Sequence, residues 1–201
     1  MQAEPVPVPT APGRPVQSMD ARGQLINFLD RGNWAVTTGD ATLAYAGWND
    51  SARTWNPLLS NAVRSVAYNR VEHVLVIYDW ATSNTARRWE LNFNALEAFT
   101  ASGTSARASN ASASACIDVY GAEGNFSRSE GFAVAPEKTL PTQYQARFRA
   151  SPASPALVSV TVIREDCRSV PVSVNTAGTS ATVSINGAAP LSFDRRTVVV
   201  P

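Results

Sequence analysis

The sequence is poor in the residues that enzymes most often use for catalysis and metal binding. Its 201 residues include one histidine, His73, and two cysteines, Cys116 and Cys167. A four-ligand zinc site needs more of these residues unless carboxylates join them. Any Ser-His or Cys-His site would have to use His73, which begins an apolar run and is expected to be structural. Without phosphate-loop, dinucleotide or zinc-protease motifs either, the sequence predicts no metal and no cofactor.

Charge and long apolar stretches are also scarce. Charged residues make up 16% of the chain and the net charge is +1, whereas typical globular proteins have about 25% charged residues. Lys138 is the only lysine among 17 basic residues, and the arginines are scattered. The chain therefore has no basic patch of the kind that binds nucleic acid. It also lacks the run of about 18 apolar residues that predicts a membrane span.

The two cysteines are far apart and in no CxxC arrangement, and each borders a predicted strand. Acidic neighbours offset the basic ones around Cys167, which argues against a reactive thiol. We therefore predict a Cys116–Cys167 disulfide, which implies an oxidising compartment. The expected location is periplasmic, cell-surface or extracellular, or cytoplasmic if Met1 is the native start, since no apolar signal segment follows it.

The front of the chain is predicted to mix helices and strands. Residues 1–16 hold five prolines, which indicates a flexible Pro-rich tether. In the α+β front half, residues 17–103, helical spacing of apolar residues predicts helices over 18–31 and 55–67 and a short one near 94–101. Residues 33–38 and 42–48 are predicted to pair as a hairpin. The unbroken apolar run 74–78 predicts a strand near the centre of a sheet.

The back of the chain is predicted to be β-structure. Residues 101–115 are almost all Ala, Ser, Thr and Gly, which indicates a loop between the halves, placed at 104–115. Over residues 116–201 apolar residues recur at every second position, and Asn186-Gly187 is a strong hairpin dipeptide. The expected fold class is α+β, with an N-terminal helix/hairpin half, a mostly antiparallel sandwich or meander after it, and one disulfide.

The aromatic residues give the best indication of a binding site. All five tryptophans fall within the first 89 residues, and most are expected to build a core. Trp48 and Trp80 differ because each ends a predicted strand beside polar residues that include Asn49 and Asn84. An aromatic ring next to amides suits protein or carbohydrate contact, so these four residues are the candidate binding site.

Two carboxylates leave an enzymatic alternative open. Asp79 and Glu90 lie near opposite ends of a predicted hairpin, and a pair of acids is enough for glycoside hydrolysis. Arg87 and Arg88 lie beside Glu90, however, and favour an ion pair instead. No catalytic residue is therefore assigned.

Three functions remain open on this reasoning. The leading one is a non-enzymatic secreted or cell-envelope structural or interaction module, such as a component of a pilus, secretion or surface assembly, with a protein or an envelope assembly as its partner. The second is a small secreted carboxylate-dependent hydrolase or effector. The third is a viral or phage coat or decoration protein.

Overall fold

In the computed structural model the described residues are 2–3, 23–49, 51, 54–132 and 137–201, and side chains are described at all of these except 2–3, 48–49 and 54–55. Apart from Gln2 and Ala3, the predicted tether over residues 1–16 lies outside them. The strands of the front part are β1 (Gln2–Ala3), β2 (Gln24–Arg31), β3 (Trp34–Asp40), β4 (Ala46–Asn49), β5 (Thr54–Pro57), β6 (Asn61–Asn69), β7 (Val74–Arg87), β8 (Trp89–Ala95) and β9 (Phe99–Ser102). Those that follow are β10 (Ser105–Ser109), β11 (Ser114–Tyr120), β12 (Gly124–Glu130), β13 (Tyr144–Ala150), β14 (Ser154–Glu165), β15 (Val172–Ala177), β16 (Ser180–Ile185), β17 (Leu191–Asp194) and β18 (Thr197–Val199).

Three antiparallel sheets and one short hairpin hold these strands. The large sheet has the order β2-β3-β6-β7-β14-β11-β10-β9. The second sheet has the order β1-β8-β13-β12, and the third sheet the order β15-β16-β17-β18. Strands β4 and β5 pair with each other. Strand β7 from the front of the chain pairs with β14 from the back, so the large sheet contains strands from both parts.

The large sheet has apolar residues on both faces, and each face is covered by a smaller sheet. Val76, Tyr78 and Val160 on one face pack against Val183 and Phe193 of the third sheet. The opposite face packs against the second sheet through residues from both sheets: Ala81, Val119, Leu157, Trp89, Leu91 and Phe148. Alternation along a central strand of the large sheet therefore sends successive side chains into the two cores. In a covering sheet, every second side chain points to solvent instead.

The predicted α+β class is wrong, because the described residues form strands where helices were expected and contain only a single-turn 3₁₀ helix, Thr42–Ala44. Residues 61–67 of the expected 55–67 helix belong to β6, whose apolar side chains point to both faces of the large sheet and so imitate helical spacing. Strand β2 occupies 24–31, where a bulge between Leu25 and Asn27 breaks the alternation. The segment near 94–101 divides between β8 and β9.

The expected hairpin is also corrected. Strand β3 pairs with β2 and β6 instead of with the segment that follows it. The central position of the 74–78 run is confirmed, since β7 lies between β6 and β14. The alternating strands of the back half are confirmed too, and Asn186 and Gly187 both have positive φ, as a tight turn requires.

The predicted disulfide is confirmed. Cys116 in β11 bonds to Cys167 in the turn after β14, and these two strands are neighbours in the large sheet. The predicted 104–115 loop is corrected in part, because Ser105–Ser109 pairs with strands on both sides. The division of the chain into 17–103 and 116–201 stays a prediction. No helix in the described part of the chain has the length and apolar character needed to cross a bilayer.

Candidate functional site

On the outward side of the second sheet, the three strands whose side chains are described (β8, β13 and β12) carry polar side chains only, at nine neighbouring positions. Strand register aligns them in three rows. We call this surface the polar face; its rows are Glu90, Arg149 and Asn125; Asn92, Arg147 and Ser127; and Asn94, Gln145 and Ser129. The residues between them, such as Leu91 and Phe148, point inward to the core. Period-two alternation therefore separates the polar face from a side that is apolar except at the end of β12, where Arg128 and Glu130 lie.

Two arginines on the polar face share one buried carboxylate. Glu90 is 3% exposed, and its Oε1 lies 2.7 Å from Nη2 of Arg149, while its Oε2 lies 3.4 Å from Nε of Arg147. Nε of Arg147 also donates to Oδ1 of Asn92 at 3.1 Å. Because one buried carboxylate contacts two guanidinium groups, the donors of this cluster are held in fixed positions.

An open cavity of about 390 Å³ adjoins the last row of the polar face. It shares Ser129 and Gln145 with that row, and its other lining residues include Phe99, Arg128, Glu130 and Tyr144. Nη1 of Arg128 donates to the carbonyl oxygen of Phe99 at 2.9 Å, which ties β12 to β9. The cavity therefore brings a guanidinium, a carboxylate, an amide and a phenol ring to the edge of the polar face.

The four predicted binding residues do not form one described cluster. Trp80 is 7% exposed, packs in the core with the third sheet, and has the Arg195 guanidinium 5.9 Å from its ring centre. Asn84 is exposed, and its Oδ1 accepts a hydrogen bond from the Ser60 hydroxyl at 3.1 Å. Trp48 and Asn49 lie on β4, where Trp48 is directly opposite Trp55. Their contribution to binding stays a prediction.

The two candidate carboxylates are held in separate ion pairs. Asp79 is fully buried and accepts two hydrogen bonds from Arg64 at 2.8 and 2.9 Å. Burial, with Asp79 nearby, raises the pKa of the Tyr45 hydroxyl beside this pair. Glu90 instead lies on the polar face with Arg147 and Arg149. A glycosidase needs two acids on either side of one glycosidic bond. The structure does not bring Asp79 and Glu90 together in this way, so the prediction that they form a catalytic pair is wrong.

His73 lies in the turn between β6 and β7 with a positive φ of 54°. Its Nδ1 is 2.7 Å from a carboxylate oxygen of Glu165 and 3.3 Å from the Tyr68 hydroxyl. These contacts connect the turn to the end of β14 and give the side chain a structural role. Among the described residues no group of three or more His, Cys, Asp or Glu side chains is placed to hold a metal ion.

Sequence reasoning missed the polar face, although its signal is present. Residues 89–95 alternate Trp, Leu, Phe and Ala with Glu, Asn and Asn, and residues 145–149 alternate Gln, Arg and Arg with Ala and Phe. Each polar set taken alone is ordinary for a strand with one side in water. Only the register between β8, β13 and β12 shows that the amides and guanidinium groups meet.

Comparison with solved structures finds the same fold in polysaccharide lyases. The heparan sulfate lyase HepC from Pedobacter heparinus matches with a TM-score of 0.63 and 12% identity, over 88% of this chain and 28% of that chain. A heparinase III gene product matches with a TM-score of 0.62 and 13% identity, over 86% of this chain and 27% of that chain. No protein-family model and no curated protein matches the sequence.

These matches correct the leading functional expectation. The matched structures named above are a heparan sulfate lyase and a heparinase, which are carbohydrate-active enzymes. At this identity the match establishes the fold alone. The chain spans about a quarter of the length of the neighbours it matches.

Proposed function

We propose that this chain is a carbohydrate-contacting β-sandwich domain of a carbohydrate-active protein, and that it binds an acidic polysaccharide. The polar face is the observation that carries the proposal. Its amide, hydroxyl and guanidinium groups are the donors and acceptors that sugar hydroxyls and acidic substituents require. Its rows extend over three strands about 4.8 Å apart, so the surface is broad enough to contact more than one sugar unit.

Two further observations support this proposal. The fold neighbours are lyases whose names specify heparan sulfate, an acidic polysaccharide. The outward side of the third sheet, by contrast, carries short neutral side chains such as Ser173, Asn175, Thr182 and Ser184. The two solvent-facing sheets of one chain thus differ in the side chains that suit anionic sugars, and the second sheet is the one that has the arginines.

The test measures binding of a heparan sulfate hexasaccharide to the 201-residue chain by calorimetry. Replacing Asn94, Asn125 and Ser127 together with alanine removes three exposed side chains from the polar face without touching Glu90. Each lost hydrogen bond costs about 0.5–1.5 kcal/mol, so we expect the Kd to rise about tenfold or more. The thermal midpoint should stay unchanged because none of the three is buried.

The matched control is the triple alanine variant of Ser173, Asn175 and Thr182 on the third sheet, which should bind as the unaltered chain does. An equal loss of affinity for the heparan sulfate hexasaccharide in both variants would contradict the proposal, as would no binding by the unaltered chain. A neutral chitohexaose serves as the second ligand. Tighter binding of chitohexaose than of the acidic hexasaccharide would leave carbohydrate contact but overturn the preference for acidic chains.

We propose further that the domain contacts the polysaccharide and does not itself cleave it. The only histidine, His73, is held by Glu165 at 2.7 Å, and Asp79 is buried against Arg64. Incubation of the chain with heparan sulfate should therefore release no unsaturated uronate, the product of a lyase. Release of that product at a rate proportional to protein concentration would contradict this assignment.

The disulfide supports an exported protein. A structural disulfide persists in the periplasm or outside the cell and is rare in the cytosol of mesophiles. The periplasmic, cell-surface or extracellular location predicted from the sequence therefore remains our proposal. Two free thiols in the folded protein isolated from its native compartment would overturn it.

A further inference from the structure

The cavity at the end of the polar face differs from the face itself in shape and chemistry. It is a concave space of about 390 Å³ between β9 and β12, a volume at the lower end of small-molecule sites. Ser129 and Gln145 line the cavity and also belong to the last row of the polar face, so the two surfaces meet at this edge of the second sheet. A polysaccharide that extends past the last row and round this edge would place one sugar unit here.

Arg128 is the residue best placed to recognise that unit. It lies on the core-facing side of β12, beyond Phe126, where the second sheet ends and its side chain becomes exposed. One nitrogen, Nη1, is held by the Phe99 carbonyl oxygen. Within the described chain the guanidinium makes no other hydrogen bond and no ion pair, and Arg128 lines the cavity. A guanidinium fixed at one corner matches the two oxygens of a carboxylate or one edge of a sulfate.

The remaining lining groups suit a sugar ring. Tyr144 lies directly opposite Glu130 in the register of β12 and β13 and contributes a half-buried ring. Gln145 presents an amide whose oxygen is 3.4 Å from the Ser129 hydroxyl. Glu130 is exposed and, among the described residues, forms no ion pair. An aromatic side, an amide and a carboxylate can accept a sugar's apolar face and its hydroxyl groups.

We propose that this cavity is a subsite for a single acidic sugar unit, with Arg128 as its anion-binding residue. The inference rests on the proposed function, since it assigns one position of the bound polysaccharide. The shared chemistry is an anionic substituent on a pyranose ring, whether a uronate carboxylate or a sulfate. Glu130 restricts the orientation of the bound sugar. The anionic substituent must face Arg128, and the sugar's hydroxyl groups must face the Glu130 carboxylate.

Two single substitutions with opposite expected effects test the subsite. Arg128→Gln should raise the Kd of a heparan sulfate hexasaccharide about tenfold, because it removes a charge-assisted contact. Glu130→Gln should lower the Kd two- to threefold, because it removes a like charge near the anion. A hyaluronan hexasaccharide, which carries carboxylates and no sulfates, identifies the anion. If Arg128→Gln loses tenfold affinity for both ligands, the anion that Arg128 binds is the carboxylate. If it loses affinity for the heparan sulfate hexasaccharide alone, the anion is the sulfate.

The control is Arg31→Gln on β2, an exposed arginine at the opposite edge of the large sheet from β9. It removes the same charge and should leave both Kd values unchanged; an equal loss there would show general charge attraction and overturn the subsite. Weaker binding by Glu130→Gln would show a cationic occupant and overturn it too. If Arg128→Gln binds like the unaltered chain while the polar-face triple variant binds weakly, the subsite fails and the proposed function stands. If the unaltered chain binds neither oligosaccharide, both fail.

Discussion

At the scale of single residues, one glycine shows how tightly the second sheet is built. A Cβ on Gly124 would lie 2.3 Å from the carbonyl oxygen of Arg149 and 2.7 Å from Cζ of Phe148. Neither neighbour can yield easily, because the carbonyl belongs to β13 and the Phe148 ring is fully buried. Gly124 thus allows β12 to lie close to β13 and keeps the rows of the polar face in register.

Gly124→Ala is therefore expected to reduce the free energy of unfolding by about 2 kcal/mol, the usual cost of overpacking. Gly39→Ala in β3 is the matched control, since its Cβ would meet only the Gln24 carbonyl oxygen at an ordinary 3.7 Å. Urea unfolding at pH 7 measures both variants. Equal stabilities of the two variants would contradict the close approach of β12 and β13.

A second residue, Tyr78, joins the large sheet to the third sheet. Its hydroxyl donates to the carbonyl oxygen of Thr179 and accepts from the backbone N–H of Arg195 at 3.1 Å. Its ring stacks on Phe193 with centroids 5.3 Å apart. Burial, with Asp194 and Asp79 nearby, raises the pKa of Tyr78 to about 12.

Because the folded-state pKa of Tyr78 lies above the ordinary value of 10.0, the protonated side chain stabilises the fold. That contribution is complete below about pH 10 and is lost as the pH rises toward 12. The free energy of unfolding should therefore fall between pH 9.5 and 11.5 more steeply in the unaltered chain than in Tyr78→Phe. Parallel pH profiles in urea unfolding would refute the assignment.

At the scale of elements, the disulfide links the start of β11 to the turn after β14, across a sequence separation of 51. Its loss releases a long loop in the unfolded chain, which the chain-entropy estimate values at about 4 kcal/mol. Replacing both cysteines with alanine should lower the free energy of unfolding by up to that amount. A chain equally stable with and without the disulfide would contradict this contribution.

The strands also show which elements a sequence reveals and which it hides. The back-half strands were predictable because each has one side in a core, so apolar residues alternate cleanly, as in Ala181, Val183 and Ile185. Strand β6 was not, because Ala62 packs toward the second sheet while Val63 and Ala67 pack toward the third. A strand between two covering layers loses its period of two and resembles a helix.

At the scale of the whole molecule, the second and third sheets cover the two faces of the large central sheet. Covering that sheet on both sides requires residues distant in sequence to share one core, as Ala81 and Phe148 do. The disulfide was predictable from two cysteines beside strands, whereas the polar face and its cavity depend on long-range register that the sequence alone does not specify. The site therefore emerged only with the sheet order.

Acidic polysaccharide binding at this scale should depend on salt. Contacts of Arg147 and Arg149 with an acidic polysaccharide are electrostatic, and exposed charges are screened beyond about 8 Å at 0.15 M salt. We expect the Kd for a heparan sulfate hexasaccharide to rise severalfold between 50 and 300 mM NaCl. The Kd for chitohexaose should remain constant. Calorimetry at both NaCl concentrations measures the two values.

The central claim is that the polar face contacts an acidic polysaccharide, and amide chemical-shift mapping on the ¹⁵N-labelled chain tests it most directly. Addition of a heparan sulfate hexasaccharide should shift the amide resonances of β12 and β13, with the largest changes near Ser127, Ser129 and Gln145. The resonances of β15 and β16 on the third sheet should stay in place. Shifts confined to the third sheet, or none at saturating ligand, would contradict the account.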